Sequence, residues 1–252
     1  HLYDQAARRI VALAPEDGRA LRAFGGRRLF GVAGNDRHRG VGLAVSAGGD
    51  VVVVNGSLGQ VQRFSAGGRA VSRWGPDGTD GTRFAAPGGL ALDADGTLFV
   101  ADAPAGVGQG RVYAIGADGR PRAGWGEALP APFALQAPAG IATTRLGTVL
   151  VVDMAGGRVV EIAADGTPLR TFGALGEGAG AFRQPAAVAV EASGSIVVAD
   201  LGETESRLLR FAADGTFRGR VVGGTALREP VGLAAADDGT LVVADADGAV
   251  VW

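Results

Sequence analysis

Apolar residues along this chain come in short runs separated by glycine-bearing turns. Residues 88–102 (GGLALDADGTLFVAD) place one apolar run on each side of an Asp-Gly turn, and residues 231–245 (VGLAAADDGTLVVAD) repeat the arrangement. This pattern predicts a β-hairpin, because glycine readily adopts the positive φ that tight turns require. The runs are nearly continuous in Val, Leu and Ala, which is typical of strands buried on both faces. The same hairpin recurs at residues 41–55, 139–153 and 186–200.

A second hairpin follows each of the first four, as in residues 158–173 (RVVEIAADGTPLRTFG) and 207–223. Residues 9–25 form the same unit near the N-terminus. The last residue of the second strand marks each repeat, at intervals of about 50 residues: Asp4, Asn55, Asp102, Asp153, Asp200 and Asp245. Four antiparallel strands in a repeat of this length predict an all-β fold, a β-propeller of four-stranded antiparallel blades.

Six markers predict six blades in a single domain that covers residues 1–252. The first blade then lacks its innermost strand and the last lacks its outermost, as in a chain clipped at both ends. The alternative is a five-bladed ring in which Asp4 and Asp245 occupy one equivalent position. The expected blades span residues 1–25 (partial), 38–75, 84–126, 135–173, 182–223 and 228–252 (partial).

With the blades aligned, the chain resembles the NHL-repeat family of β-propellers. The family pattern is a Pro, a hairpin like GLAVDxDGTLYVAD, a second hairpin ending in FG, and a Gly-rich run ending in FxxP. Residues 87–102 (PGGLALDADGTLFVAD) and 185–200 (PAAVAVEASGSIVVAD) match the first hairpin, and residues 172–185 (FGALGEGAGAFRQP) match the Gly-rich run. We expect this Gly-rich run to connect two blades, because a phosphate-binding loop needs a following helix N-terminus. The resemblance covers nearly the whole chain but implies little about function, since propellers serve unrelated activities.

An Asp at the end of the second strand recurs with an Arg at the start of the third. In the second blade the pair becomes Asn55 and Gln60, so both charges are lost together, as expected for a local ion pair or hydrogen bond. We therefore interpret the pairs as a structural clasp rather than as a ring of ligand-binding acids. The pairs are Asp4 with Arg9, Asp102 with Arg111, Asp153 with Arg158, and Asp200 with Arg207. Asp245 has no Arg at the equivalent place, which makes it the best candidate for a free carboxylate.

A metal-assisted hydrolase or lyase with a site on the propeller axis is the main alternative function. The resemblance implies two precedents: amidating lyases that hold zinc with several His, and lactonase propellers that hold calcium with Glu, Asn and Asp. This chain has only two His and no Cys, so we expect no cofactor, with Ca or Zn as the alternative. If a metal binds, Asp245 and Asp247 are its expected ligands.

The connector between the first two blades carries an unusual cluster of basic residues. We expect it to lie at an end face, together with arginines that precede later inner strands, and to grip an acidic ligand. The predicted binding residues are Arg27, Arg28, Phe30, Arg37, His38, Arg39, Arg83, Arg183 and Arg228. Glu229 partly offsets this charge.

Composition narrows the expected partners. The net charge is −2, which gives no global attraction to nucleic acid, so an RNA-binding NHL domain is the second alternative. No apolar run approaches the roughly 20 residues that span a bilayer. We predict a non-catalytic binding or scaffold propeller that recognises a protein or another acidic ligand through its end-face loops. We further expect a monomeric domain of a longer, bacterial chain in a secreted or periplasmic setting.

Overall fold

The computed structural model describes residues 2–4, 9–13, 20–25, 42–75, 83–104, 110–221, 226–245 and 248–251. Within these ranges the regular structure is β, apart from one 3-10 turn at Gly56–Leu58. In the same ranges, none of the helical structure is long and apolar enough to cross a membrane.

The strands form six antiparallel sheets in chain order within the described residues. The first sheet contains β1 (Leu2–Asp4), β2 (Arg9–Leu13) and β3 (Ala20–Gly25). The second contains β4 (Leu43–Val45), β5 (Val51–Asn55), β6 (Gln60–Phe64) and β7 (Ala70–Trp74). The third contains β8 (Pro87–Leu92), β9 (Leu98–Asp102) and β10 (Arg111–Ile115). The fourth contains β11 (Pro138–Thr143), β12 (Val149–Asp153), β13 (Arg158–Ile162) and β14 (Pro168–Phe172). The fifth contains β15 (Pro185–Val190), β16 (Ile196–Asp200), β17 (Arg207–Phe211) and β18 (Phe217–Val221). The last is β19 (Pro230–Ala235), β20 (Leu241–Asp245) and β21 (Gly248–Val251). The six sheets are consistent with the six-bladed expectation.

The third sheet departs from the predicted four strands. Residues 116–137 follow β10 with isolated bridges only, such as Ile115 with Pro121 and Arg111 with Ala128. Gly124 and Gly126 then adopt φ of +82° and +88°, which turns the chain out of an extended path. The expectation of a regular fourth strand in residues 84–126 was therefore wrong.

The first strands of successive sheets lie side by side, with their backbones in contact. The amide of Gly42 donates to the carbonyl of Gly88 at 3.1 Å, which joins the second and third sheets. A Cβ added to Gly140 would lie only 2.7 Å from the carbonyl oxygen of Ala186 in the next sheet. Glycine is needed here because only a residue without Cβ permits this approach.

Apolar side chains fill the spaces between neighbouring sheets. One cluster joins Leu150 and Val159 of the fourth sheet to Val188 and Leu209 of the fifth. Two tryptophans, Trp74 of the second sheet and Trp125 of the third, each add a link to the next sheet. Trp74 Nε1 donates to the carbonyl of Gly119, and Trp125 Nε1 donates to that of Ala164, both at 3.2 Å. These contacts bind each sheet to its successor, as expected where stability comes from neighbouring repeats.

The two ends of the sheets carry different chemistry. At one end, called here the aspartate end, second strands finish on Asp and first strands begin on Pro, as in the register pairs Pro138 with Asp153 and Pro185 with Asp200. The opposite end, called here the turn end, carries the tight turns between first and second strands and between third and fourth strands. Residues 191–195 are one such turn.

Candidate functional site

Three of the recurring aspartates at the aspartate end, Asp102, Asp153 and Asp200, are buried, and their carboxylates accept hydrogen bonds from backbone amides. Asp200 has no exposed surface, and its Oδ1 accepts from the amides of Arg183 and Gln184, both at 2.8 Å. Asp153 is equally buried and accepts from the amides of Gln136 and Ala137, both at 2.9 Å. Each carboxylate therefore fixes the two residues that precede the proline of its first strand.

Arginines complete two of these arrangements. Arg207 Nε donates to Asp200 Oδ2 at 2.8 Å, and Arg158 Nε donates to Asp153 Oδ2 at 3.3 Å. Their terminal nitrogens continue to the connector backbone. Arg158 Nη2 reaches the carbonyl of Ala134 at 2.7 Å, and Arg207 Nη2 reaches that of Ala181 at 3.0 Å. In these two sheets the ion pair ties the third strand to the connector.

The third sheet does not form the pair expected between Asp102 and Arg111. Asp102 still accepts from the amides of Ala85 and Ala86, but Arg111 Nη1 donates to the carbonyl of Gly126 at 3.4 Å. Tyr113 is the physical reason for the change.

The Tyr113 hydroxyl donates to the carbonyl of Arg83 at 3.3 Å. That carbonyl lies four residues before Pro87, as those of Ala134 and Ala181 lie four before their prolines. The tyrosine thus takes the acceptor that an arginine uses in the next two sheets. Burial, followed by the Asp102 charge, raises the pKa of Tyr113.

The remaining pairs behave differently. Asn55 and Gln60 lie opposite each other in register, and Asn55 Oδ1 accepts from the amide of Leu58 at 3.3 Å. Asp4 and Arg9 are also register partners, but their side chains lie outside the described part of the chain.

Asp245 is not the free carboxylate that its missing arginine predicted. Its Oδ2 accepts from the amide of Arg228 at 2.8 Å and its Oδ1 from the amide of Glu229 at 3.1 Å. The prediction was wrong because the contacts of this aspartate come from backbone amides, which a comparison of side chains cannot reveal.

The residues held by the aspartates form a row that we call the proline ledge. The position two before each proline is exposed in the four sheets whose first strand begins on Pro, whereas its amide donates to the aspartate carboxylate. The backbone of this row is thus fixed, while the side chains at this position face solvent. The proline ledge consists of Ala85, Ala86, Gln136, Ala137, Arg183, Gln184, Arg228 and Glu229.

The predicted basic arc is only partly present on this ledge. Arg183 and Arg228 both lie two residues before a proline, but Arg83 lies two positions further upstream, and Ala85 occupies the equivalent place. Aligning the repeats on the proline, rather than on the apolar run that follows it, would have shown that Arg83 is not equivalent to Arg183 and Arg228. Arg183 Nε also donates to both carboxylate oxygens of Glu177 at 2.8 Å, which lowers the pKa of Glu177 and raises that of Arg183.

Several predicted site residues lie outside the described ranges. They are Arg27, Arg28, Phe30, Arg37, His38, Arg39 and Asp247.

The described residues do not fit a metal centre. Among them, no group of three or more His, Asp or Glu side chains converges where a metal ion would be held. Asp153 and Asp200 each accept amide and guanidinium hydrogen bonds, which occupy the oxygens that a metal would need.

A second set of contacts, not predicted from the sequence, lies at the turn end. Arg63 Nε donates to Asp50 at 2.9 Å, and Arg210 Nη2 donates to Glu191 at 2.7 Å, so the fourth residue of a third strand holds the first turn of its own sheet. In the fourth sheet Glu161 holds this strand position and accepts from Thr148 and from Arg170, both at 2.6 Å. The available signal was a charged residue at the fourth position of these three third strands.

No family model matches the sequence, and no curated protein matches it. Solved structures do match the fold. The structure of a nidogen/laminin complex covers 95% of this chain and 83% of that chain, at 20% identity and a TM-score of 0.69. Virginiamycin B lyase from Staphylococcus aureus covers 99% and 81%, at 13% identity and a TM-score of 0.64. A putative gluconolactonase covers 92% and 77%, at 18% identity and a TM-score of 0.62.

At these identities the likeness establishes the fold alone, and membership of the NHL-repeat family stays a prediction. The antiparallel sheets and the propeller neighbours agree on one architecture. The chain is an all-β protein with the β-propeller fold.

Proposed function

We propose that the protein is a non-catalytic binding propeller whose proline ledge contacts a protein or another acidic ligand. The observation that carries the proposal is that, at the aspartate end, the backbone and the side chains of the ledge have separate roles. Buried carboxylates such as Asp200 hold the ledge backbone, while the exposed side chains of the ledge differ from sheet to sheet. A rigid backbone that presents variable side chains is a good basis for specific recognition, because little order has to be gained on binding.

The basic side of the ledge favours an acidic ligand. Arg183 and Arg228 occupy the equivalent exposed position in consecutive sheets, where the preceding sheets carry Ala85 and Gln136. Guanidinium groups bind carboxylates through two parallel hydrogen bonds, which gives geometric selectivity as well as charge. Glu177 holds Arg183 in a fixed orientation, and an incoming carboxylate would compete with it or share the guanidinium edge.

Binding of poly-L-glutamate, measured by calorimetry at low ionic strength, tests the proposal. Replacing Arg183 and Arg228 by Ala preserves the backbone amides that the aspartates bind, so the fold should be retained. We expect at least about a tenfold loss of affinity, equivalent to about 1.4 kcal/mol. The matched control replaces Arg218 and Arg220 by Ala. Both arginines are exposed on the outer strand β18, and the control variant has the same net charge as the first double variant. An equal loss in both double variants would contradict the proposal.

A metal-assisted hydrolase or lyase is the second candidate, favoured by the structural likeness to virginiamycin B lyase and to a putative gluconolactonase. Its metal ligands would have to include residues outside the described ranges, such as His38 or Asp247. Elemental mass spectrometry of the dialysed protein tests this candidate. One calcium or zinc ion retained per chain would favour it and direct a search for lactone and ester substrates. A metal-free protein that still binds poly-L-glutamate would favour the binding propeller.

A further inference from the structure

A cleft of 440 Å³ opens at the turn end, between the fifth and sixth sheets. We call it the turn-end cleft. Its walls are the first turn of the fifth sheet, Arg210 of β17, and residues 237–239 in the first turn of the sixth sheet. It lies at the opposite end of the sheets from the proline ledge, so it goes beyond the proposed function and does not depend on it.

Between the fourth and fifth sheets, two arginines bridge the equivalent gap. Arg145 Nη1 donates to the carbonyl of Ala192 at 2.7 Å, and Arg170 Nη2 donates to that of Ala213 at 2.5 Å. Both guanidinium groups bond to turns of the fifth sheet, and Arg145 Nη2 also reaches Asp237 Oδ1 of the sixth sheet at 3.5 Å. Arg170 is the better covered of the two, with 33% of its side chain exposed against 67% for Arg145.

The repeat replaces both arginines by small residues one sheet later. Ala192 holds the turn position that Arg145 holds in the fourth sheet. Gly219 lies opposite Arg210 in register, as Arg170 lies opposite Glu161. A Cβ added to Gly219 would meet nothing within 4 Å. Of these two small residues, Ala192 lines the cleft, at the turn position where the fourth sheet carries Arg145.

The walls of the cleft combine hydrogen-bond donors and acceptors. Arg210 gives one terminal nitrogen to Glu191, and its Nε is buried without a hydrogen-bond partner. The hydroxyls of Ser193 and Ser195 lie 2.9 Å apart, and each hydroxyl can both donate and accept. Asp238 accepts the amide of Thr240 with one oxygen and has a second oxygen for further contacts.

The charges of the walls discriminate between classes of ligand. Glu191 is paired with Arg210 at 2.7 Å and Asp237 with Arg145 at 3.5 Å, so the charges around the cleft are largely compensated and attract neither an anion nor a cation strongly. A neutral molecule with several hydroxyl groups satisfies both kinds of wall, because each hydroxyl donates to a carboxylate and accepts from a guanidinium or serine. We propose that the turn-end cleft binds a small neutral polyol or saccharide.

Calorimetry and saturation-transfer NMR with sorbitol, D-glucose and maltose test the proposal. Ala192→Arg restores the side chain that the fourth sheet already carries at this turn position, and should refill the cleft. We expect at least one of the three probes to bind the wild-type protein, and Ala192→Arg to weaken its binding at least tenfold. Ala94→Arg is the matched control, because Ala94 is exposed at the same turn position of the third sheet, and it should bind as the wild type does.

Three results would overturn the proposal: no binding of any of the three probes, equal binding by wild type and Ala192→Arg, or binding of spermidine or citrate in their place. Ser195→Ala provides an independent test if Ala192→Arg does not fold. It removes a hydroxyl but enlarges the cleft, so it should weaken polyol binding, and unchanged binding would count against the assignment. None of these outcomes depends on poly-L-glutamate binding at the other end of the protein.

Discussion

Arg207 donates from Nε to Oδ2 of Asp200 at 2.8 Å, and the Asp200 carboxylate has no exposed surface. The other oxygen of Asp200 accepts from two amides of the connector that leads into its own sheet. One buried carboxylate thereby joins the second strand, the third strand and the connector. A buried charge is tolerated only when it is paired and fully hydrogen-bonded, so this group is part of the scaffold that supports the proline ledge.

Removing the Asp200 carboxylate should destabilise the protein strongly. Asp200→Ala leaves the Arg207 guanidinium and two connector amides without their acceptor. Breaking a buried pair in this way costs about 3–5 kcal/mol. The free energy of unfolding, measured with urea, should fall by this amount. Asp237→Ala is the control, because the Asp237 side chain is fully exposed, and its midpoint should match that of the wild type. Equal midpoints for the two variants would contradict the structural role of Asp200.

Two adjacent glycines should respond oppositely to the same substitution. A Cβ on Gly89 would overlap the carbonyl oxygen of Ala139 in the next sheet, whereas one on Gly88 would meet nothing within 4 Å. We expect Gly89→Ala to lower the free energy of unfolding by about 1–3 kcal/mol, the usual cost of overpacking, and Gly88→Ala to be neutral or slightly stabilising. Urea denaturation of both variants measures the difference. A larger loss for Gly88→Ala would show that the first strands do not pack as described.

Tyr113 should ionise at higher pH than an ordinary tyrosine. Burial is the main cause, and the nearby Asp102 charge adds to it. Because the folded protein holds this proton more tightly than the unfolded chain, the stability from this group is fully present below the unfolded pKa of about 10 and is lost as the pH rises through the higher folded value. Absorbance at 295 nm follows the ionisation. The Tyr113→Phe variant should lose the component that titrates at the higher pH. Loss of the component that titrates at the lower pH would be inconsistent with the raised pKa of Tyr113.

Three exposed turn aspartates should make the protein sensitive to acid. Asp165, Asp214 and Asp238 each accept the amide of the Thr two residues later, and this bond lowers their pKa. The stability that they contribute is present above the unfolded pKa of about 4 and is lost as the pH falls through the lower folded values. NMR titration of the side-chain carboxyl carbons should give midpoints below those of model peptides. Midpoints at or above the model values would refute these contacts.

Much of the fold could be predicted from the sequence because the repeat is regular. Apolar runs bounded by glycine-bearing turns determine hairpins locally, so residues 88–102 and 139–153 indicate their strands without help from tertiary structure. The third sheet was not predictable in the same way. Gly124 and Gly126 lie in a segment whose hairpin pattern is otherwise normal, and the sequence does not show that both adopt a positive φ.

The candidate site was less predictable, because its contacts are made by the backbone. The Asp and Arg of a clasp are visible as residue types, and ion pairs of 3.3 and 2.8 Å join Asp153 to Arg158 and Asp200 to Arg207. The amide bonds of Asp245 leave no trace in residue identity, and neither does the substitution of Tyr113 for an arginine donor. The turn-end cleft was also not predictable, because it requires knowing which side chains face one another between the fifth and sixth sheets.

The central claim is that the proline ledge is the binding surface, and backbone NMR mapping tests it most directly. Poly-L-glutamate should be titrated into isotope-labelled protein while the amide shifts are followed. The account predicts the largest shifts at Arg183, Gln184, Arg228 and Glu229, with residues 144–148 and 191–195 at the turn end unaffected. Shifts concentrated at the turn end, or spread evenly over the exposed arginines, would contradict it.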